Sequence, residues 1–184
     1  MASALVLSGC ASGGDPDPSD SPAPSTTASP SPSPSVEPVA APVRPPEMDR
    51  SDEVGAVAAA EYFMELFSYA FRTGDLDSWN RVSAQDCSFC SNVRADVEAV
   101  YSTGGRFEGG EFSHGPAVVV AHDPSIGVYT ASIEFSVAEF AVRDEAETTV
   151  RTIEPEAGTA LLDLVFTTGG WSLLGGMPSP QESA

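Results

Sequence analysis

The sequence predicts a single α+β domain, in which three N-terminal helices pack on a curved antiparallel sheet. Apolar side chains recur at helical spacing between about residues 51 and 102, and alternation replaces that spacing from residue 106 onward. Turn signals rich in Gly separate the alternating segments, as is typical of antiparallel strands. The predicted domain spans residues 48–178, which is long enough for one ordinary hydrophobic core.

The first predicted helix runs from about Ser51 to Thr73. Asp52 and its neighbours place capping and acidic side chains at its start, and Gly74 ends it. A wide apolar stripe at helical spacing predicts the face that is buried in the core. The stripe consists of Ala59, Tyr62, Phe63, Leu66, Phe67, Ala70 and Phe71.

Two shorter helices follow. The second is predicted over Leu76–Ser83, with Trp79 pointing inward. The third begins after Cys87 and runs to about Ser102 before the turn at 104–105. One side of this third helix is apolar and consists of Val93, Val97, Val100 and Tyr101.

The remaining segments predict strands. Residues 106–120 and 126–142 are rich in Val, Phe and Tyr and partly alternate, and Gly109-Gly110 and residues 123–125 are turn or bulge signals. Further strands are predicted over 148–153, 159–167 and 171–174. Residues 168–170 read Thr-Gly-Gly, which favours a hairpin between the last two strands.

Cys87-x-x-Cys90 is the most specific local motif in the sequence. In an exported protein these two cysteines are expected to form a disulfide that fixes the junction between the second and third helices. Thiol–disulfide exchange is the functional alternative, because a cysteine at a helix N-terminus has a lowered pKa. No βαβ unit surrounds the motif, and Asp86 disfavours a thiolate. A zinc site would need a second pair of ligands that the motif lacks.

Helices packed on a strongly curved sheet resemble the cone-shaped fold of the nuclear transport factor 2 superfamily, and "Gly-Asp-Leu-Asp" at 74–77 is similar to a common opening there. Such a fold encloses a pocket. Four aromatic residues are candidates to line it and are equally good as core: Tyr62, Tyr101, Tyr129 and Trp171.

The sequence indicates no catalytic residue, metal site or cofactor. His114 and His122 are the only histidines, and both are interpreted as surface residues. Lys is absent, so a phosphate loop with its lysine is absent too, and neither Gly-x-Ser-x-Gly nor His-Glu-x-x-His occurs. The formal net charge of −19 argues against a nucleic-acid partner and favours solubility as the role of the charge.

The N-terminus has the pattern of an export signal. Residues 5–10 read Leu-Val-Leu-Ser-Gly-Cys, an apolar run and two small residues before Cys10, as in a bacterial lipobox. Residues 1–9 are predicted to be a signal-peptide remnant, with Cys10 diacylated to anchor the chain in a membrane. Because this signal lacks a basic n-region, translation is expected to begin upstream of Met1. The predicted location is the outer face of the cytoplasmic membrane, facing the cell wall.

Residues 10–47 form the predicted tether. They are rich in Pro, Ser, Ala and Asp and include the run Ser-Pro-Ser-Pro-Ser-Pro at 29–34. Such a segment has too few large apolar side chains to offset the entropy of ordering, and alternating Ser-Pro favours an extended polyproline conformation. Residues 179–184 are likewise predicted to be disordered.

Several motifs together resemble an uncharacterised family of actinobacterial lipoproteins, known as domain of unknown function 6318. They are Pro45-Pro46-Glu47-Met48, Tyr62, Tyr69-Ala70, Thr73-Gly74-Asp75, the two cysteines, Tyr101, Gly104-Gly105 and Gly109-Gly110. The resemblance implies an envelope location and a lipid anchor, and it brings no established activity.

The leading hypothesis is a non-enzymatic module that binds a ligand or a cell-wall or envelope protein partner. The alternatives are an acid–base enzyme that uses the cone pocket and a redox protein that uses Cys87 and Cys90. The sequence leaves the oligomeric state open.

Overall fold

A computed structural model describes residues 39–180. A 3-10 helix (Pro46–Asp49) precedes three helices, α1 (Glu53–Thr73), α2 (Asp77–Val82) and α3 (Ser88–Tyr101). The strands that follow are β1 (Arg106–Gly109), β2 (Phe112–His114), β3 (Val118–Asp123), β4 (Val128–Val137), β5 (Phe140–Arg143), β6 (Thr149–Ile153), β7 (Glu156–Thr167) and β8 (Gly170–Pro180). The α+β class, with three helices ahead of antiparallel strands, is confirmed.

Both ends of α1 are set by single residues. The Asp52 side chain accepts a hydrogen bond from the Gly55 N–H at 3.3 Å, so the helix begins two residues later than the sequence predicts. At the other end Gly74 adopts a φ of 75° and donates its N–H to Ala70 O at 2.8 Å. Between these caps, α1 buries Ala59, Tyr62, Phe63, Leu66 and Ala70 of the predicted stripe, whereas Phe67 and Phe71 are half-buried.

The strands form two antiparallel sheets rather than one. The larger has the order β2-β4-β7-β8, with β3 also paired to β4, and the smaller has the order β1-β5-β6. β2 pairs with the C-terminal end of β4 and β3 with its N-terminal half, so both lie along the same edge. The predicted strand 106–120 is therefore divided into three pieces, and 126–142 into two.

A bend at two glycines separates the sheets. Gly109 and Gly110 adopt φ values of 84° and 68°, which residues with a Cβ rarely adopt. Across the bend, Gly110 N–H donates to Glu139 O at 3.1 Å, and Ala138 N–H donates to Glu111 O at 3.0 Å. Because these hydrogen bonds keep the two chain segments paired through the bend, the smaller sheet continues from the larger one in a new direction.

The last hairpin is longer than the sequence predicts. β7 begins at Glu156, and β8 continues through Gly175 and Gly176 to Pro180, with a bulge between Asp163 and Leu164. These glycines look like breakers in the sequence, but Gly176 allows the Phe89 ring to lie close to the strand, since a Cβ there would be 2.8 Å from it.

The core lies between α1 and the larger sheet. Its largest fully buried side chains include Trp79, Phe63, Met48 and Leu66. Met48 belongs to the 3-10 helix, which is the first regular element in the described residues and packs into the core. Strand β8 extends to Pro180 and so includes Ser179 and Pro180 of the predicted C-terminal tail, whereas residues 181–184 lie outside the described residues. The predicted lipobox, Cys10 and most of the predicted tether lie outside the described residues.

None of the helices between residues 39 and 180 combines the length and the apolar character needed to cross a membrane.

Candidate functional site

An apolar cavity of about 210 Å³ lies where α1 meets both sheets. Seven of the nine phenylalanines in the chain line it: Phe67, Phe71, Phe89, Phe107, Phe112, Phe135 and Phe140. All seven are half-buried, whereas Phe63 on the neighbouring face of α1 is 1% exposed. The cavity therefore collects most of the aromatic surface that the core leaves uncovered.

The α1 wall of the cavity follows the helical period. Met64, Phe67, Ser68, Phe71 and Arg72 recur every three or four residues and so share one face. Their character changes along the helix, from buried Met64 to exposed Arg72 in the last turn. This wall is thus apolar at one end and cationic at the other.

The phenylalanine rings form one connected cluster. Ring centroids of Phe67 and Phe71 are 4.9 Å apart, those of Phe71 and Phe107 5.1 Å, and those of Phe107 and Phe140 5.9 Å. Phe67 also contacts Phe112 at 5.8 Å. Because the rings brace one another in tilted and edge-to-face pairs, the cavity wall is pre-organised.

The remaining walls come from both sheets and from Phe89 of α3. The smaller sheet contributes Phe107, Phe140 and Ile153, and the glycine bend contributes Gly109 and Gly110. The larger sheet contributes Phe112, Phe135, Val137, Ala160, Leu162 and Met177. The bend between the sheets therefore creates the concave wall that faces α1.

Charged residues occur only among the exposed lining residues. Arg72 lies at the end of α1, and Glu154 and Glu156 lie at the junction of β6 and β7. Within residues 39–180, none of the three takes part in an ion pair. In the same part of the chain no polar or charged residue is buried. The cavity thus combines an apolar interior with a charged mouth.

The four aromatic residues predicted to line a pocket lie elsewhere. Tyr62 is in the core, and burial raises the pKa of its hydroxyl. Tyr101 donates its hydroxyl to Phe71 O at 2.9 Å and packs against Gly74; burial also raises its pKa. Tyr62 is part of α1 and Tyr101 braces its last turn, and neither side chain lines the cavity.

Tyr129 and Trp171 brace the start of α1. The Trp171 indole donates its N–H to Arg50 O at 2.9 Å, and the Tyr129 hydroxyl donates to Ser51 O at 3.4 Å. Their rings meet edge to face at 5.5 Å. The cavity is lined by other aromatic residues, which corrects the expectation for all four.

The sequence held one signal for the true lining. Phe67 and Phe71 belong to the predicted apolar stripe, but helical spacing alone does not separate a buried ring from one that faces a cavity. That distinction depends on where the glycine bend places the smaller sheet. Phe107 and Phe140 reach the site only because of this bend.

Cys87 and Cys90 form the expected disulfide. Both residues are fully buried, and the Cys87 sulfur accepts a hydrogen bond from the Cys90 N–H at 3.0 Å, which caps the start of α3. The Trp79 indole donates to Cys90 O at 3.2 Å, and Ala84 N–H donates to Leu173 O at 2.9 Å. These hydrogen bonds hold α2 and the segment after it against the start of α3 and β8, and the disulfide lies at that junction.

The two histidines lie apart from the cavity. His114 Nδ1 is 2.8 Å from Gly115 O, and the His122 ring stacks on Tyr129 with centroids 3.9 Å apart. Across residues 39–180, no cluster of three or more His, Cys, Asp or Glu side chains is arranged to hold a metal ion.

Solved structures with a similar fold have low sequence identity. The intermembrane space region of the chloroplast protein ARC6 matches with a TM-score of 0.51 and 15% identity, over 72% of this chain and 99% of that one. A putative aromatic-ring-hydroxylating dioxygenase β subunit from Novosphingobium aromaticivorans matches with a TM-score of 0.47 and 15% identity, over 70% and 91% of the two chains. An uncharacterised Caulobacter vibrioides protein with a cystatin-like fold matches with a TM-score of 0.42 and 12% identity, over 67% and 88%. These are likenesses of fold alone.

No curated protein matches the sequence. One family model does, the Family of unknown function (DUF6318), and it matches residues 31–176. That span includes the disulfide, the glycine bend and all seven phenylalanines of the cavity. The family expected from the sequence is therefore confirmed, and this chain belongs to DUF6318.

Proposed function

We propose that this protein is a lipid-anchored extracytoplasmic module whose folded domain binds a small apolar ligand. The observation that carries the proposal is the cavity, in which seven half-buried phenylalanines face a shared space. Apolar surface in a concave site is typical of ligand binding, and covering it is favourable by about 25 cal/mol per Å². A cavity of about 150 Å³ holds a benzene ring, so 210 Å³ suits one ring or a short aliphatic chain.

Binding without catalysis fits the lining best. An acid–base enzyme needs a desolvated titratable group beside its substrate, and the charged residues that line this cavity are all exposed. The interior offers phenylalanine, methionine and aliphatic side chains. Such a surface selects a ligand by shape and apolar area.

The redox alternative is disfavoured by burial of the disulfide. Thiol exchange requires a thiolate to reach one of the two sulfurs, and Cys87 and Cys90 are both fully buried. The hydrogen bonds around the pair join α2, α3 and β8, which favours a structural role.

Ligand-observed NMR with toluene and indole tests the cavity. We expect both probes to bind, and Val137→Trp to abolish binding, because Val137 lines the cavity and a larger ring there fills it. Val120→Trp is the matched control, since Val120 is exposed on β3 and does not line the cavity. Equal binding by both variants, or no binding by the unmodified domain, would contradict the proposed site.

The anchor is tested separately with the full-length protein in its native cell. We expect mass spectrometry of the N-terminal peptide to show a diacylated Cys10. Cys10→Ser is expected to release the protein from the membrane fraction. An unmodified thiol in the native protein, or unchanged membrane association of the variant, would overturn this part of the proposal.

A further inference from the structure

The cavity mouth carries charges of both signs on different elements. Arg72 extends from the last turn of α1, whereas Glu154 and Glu156 stand where β6 passes into β7. In the part of the chain described, these three side chains form no ion pair with one another or with other residues. A cation and two carboxylates are therefore available to a ligand whose apolar part occupies the cavity.

Resting on the proposed binding function, we infer that the ligand is a zwitterionic α-amino acid with a large apolar side chain. The Arg72 guanidinium can donate two hydrogen bonds to the ligand carboxylate, a pairing that suits its planar fork. The ligand ammonium donates to Glu154 or Glu156, and the side chain enters the phenylalanine cluster. The cation, the carboxylates and the apolar interior of the cavity then each contact one part of the ligand.

Ligands with a single charge fit this mouth less well. An anionic amphiphile would pair with Arg72 but approach two carboxylates on a chain with a net charge of −19. A cationic amphiphile would pair with the glutamates but approach Arg72. Only a head group that carries both a positive and a negative charge can pair with Arg72 and with the two glutamates.

The interior defines the side chain. Its size suits one ring or a branched aliphatic group, and the ring-rich wall favours aromatic and thioether contacts. Phenylalanine, methionine and leucine match these properties. A residue inside a peptide lacks one or both backbone charges, so the free amino acid is the expected form.

Calorimetric titration of the full-length protein with four probes separates the contributions of the carboxylate, the ammonium and the apolar side chain. L-phenylalanine has both charges, N-acetyl-phenylalanine lacks the ammonium, phenylalaninamide lacks the carboxylate, and toluene lacks both. We expect L-phenylalanine to bind at least about fivefold more tightly than either derivative, because each derivative loses one charge-assisted hydrogen-bond partner at the exposed mouth.

Variants that remove one charge at a time test which ligand group each charged residue contacts. Arg72→Gln is expected to weaken binding of L-phenylalanine and N-acetyl-phenylalanine about fivefold and to leave phenylalaninamide unaffected or improved. The double variant Glu154→Gln with Glu156→Gln is expected to weaken binding of L-phenylalanine and phenylalaninamide and to leave N-acetyl-phenylalanine unaffected or improved. Arg151→Gln and Glu98→Gln are the controls, because both residues are exposed and neither lines the cavity.

The outcomes distinguish this inference from the proposed function. If toluene binds and L-phenylalanine binds no better than its two derivatives, the zwitterion is wrong and the apolar cavity site stands. If Arg72→Gln affects all probes equally, Arg72 has no carboxylate-specific role, and the inference also fails. If no probe binds, including toluene, the proposed function itself is contradicted.

Discussion

At the scale of single residues, glycines with positive φ mark where the fold depends on a missing side chain. Gly74 and Gly127 have similar φ values of 75° and 68°. A Cβ on Gly74 would lie 2.6 Å from the Tyr101 ring, whereas a Cβ on Gly127 would meet nothing within 4 Å. The two positions therefore share one backbone cost but differ in crowding.

We expect Gly127→Ala to lower the free energy of unfolding by about 1 kcal/mol, from the backbone conformation alone. Gly74→Ala should lower it by about 2 kcal/mol or more, because Tyr101 must also move. Urea unfolding followed by circular dichroism measures both. Equal losses for the two variants would mean that Tyr101 adjusts freely.

At the scale of elements, the start of α1 depends on Asp52. Its carboxylate accepts hydrogen bonds from the Arg50 guanidinium and from Gly55 N–H. The Arg50 hydrogen bond is the main cause that lowers the pKa of Asp52 from 3.8 to about 2, and the Gly55 N–H also contributes. The unfolded chain therefore binds a proton at this site more readily than the folded one.

Because the pKa is lower in the folded state, the stabilisation from ionised Asp52 is present above about pH 4. It is lost as the pH falls toward 2. We expect Asp52→Asn to keep the helix cap but to remove this part of the pH dependence of the unfolding free energy. NMR titration of the Asp52 carboxyl carbon should give a midpoint near 2. A midpoint near 3.8 would contradict the assigned hydrogen bonds.

The junction of α2 and α3 gives a second prediction at this scale. Because Cys87 and Cys90 are fully buried and the Cys90 sulfur lies 3.8 Å from Leu173 O, reduction should require that α3 opens from β8. We expect the native domain to resist millimolar dithiothreitol and to be reduced readily in urea, as alkylation and mass spectrometry can show. Rapid reduction without denaturant would instead favour the redox hypothesis.

At the scale of the whole molecule, the segment before α1 is part of the folded domain. Met48 is 2% exposed and belongs to the core, and Arg50 O accepts the Trp171 hydrogen bond from β8. Met177 offers a comparison because it is 68% exposed. The two methionines test how far the cooperative unit extends toward the N-terminus.

Met48→Ala is expected to cost about 3 kcal/mol of unfolding free energy, as for other fully buried large side chains, whereas Met177→Ala should cost less than about 0.5 kcal/mol. Thermal and urea denaturation of both variants measures the difference. A small loss for Met48→Ala would place the start of the cooperative unit after Arg50.

The helices could be predicted closely because their signals are local. Gly74 and the apolar stripe set the end and the buried face of α1 within the chain itself. Trp79 is buried, as its place in the short second helix predicts. Helix α3 likewise ends within one residue of its expected position, ahead of the glycines at 104–105.

The sheets and the cavity depended on pairing between distant segments. Gly109-Gly110 was recognised as a turn or bulge signal, but the paired backbone at Glu139 makes it a bend between two sheets. That bend brings Phe107 and Phe140 to α1. Tyr101 and Tyr129 instead support the two ends of α1, because their hydroxyl groups donate to the carbonyls of Phe71 and Ser51, and Tyr62 lies in the core.

The cavity and the point where the chain enters the domain lie at different ends of helix α1. The chain enters the domain beside Arg50 and Trp171, whereas the cavity occupies the helix from Met64 to Arg72. At 1.5 Å per residue, the middle of the cavity wall is roughly 20 Å along the axis from the start of the helix. The charged mouth therefore lies at the opposite end of α1 from the point where the described chain enters the domain.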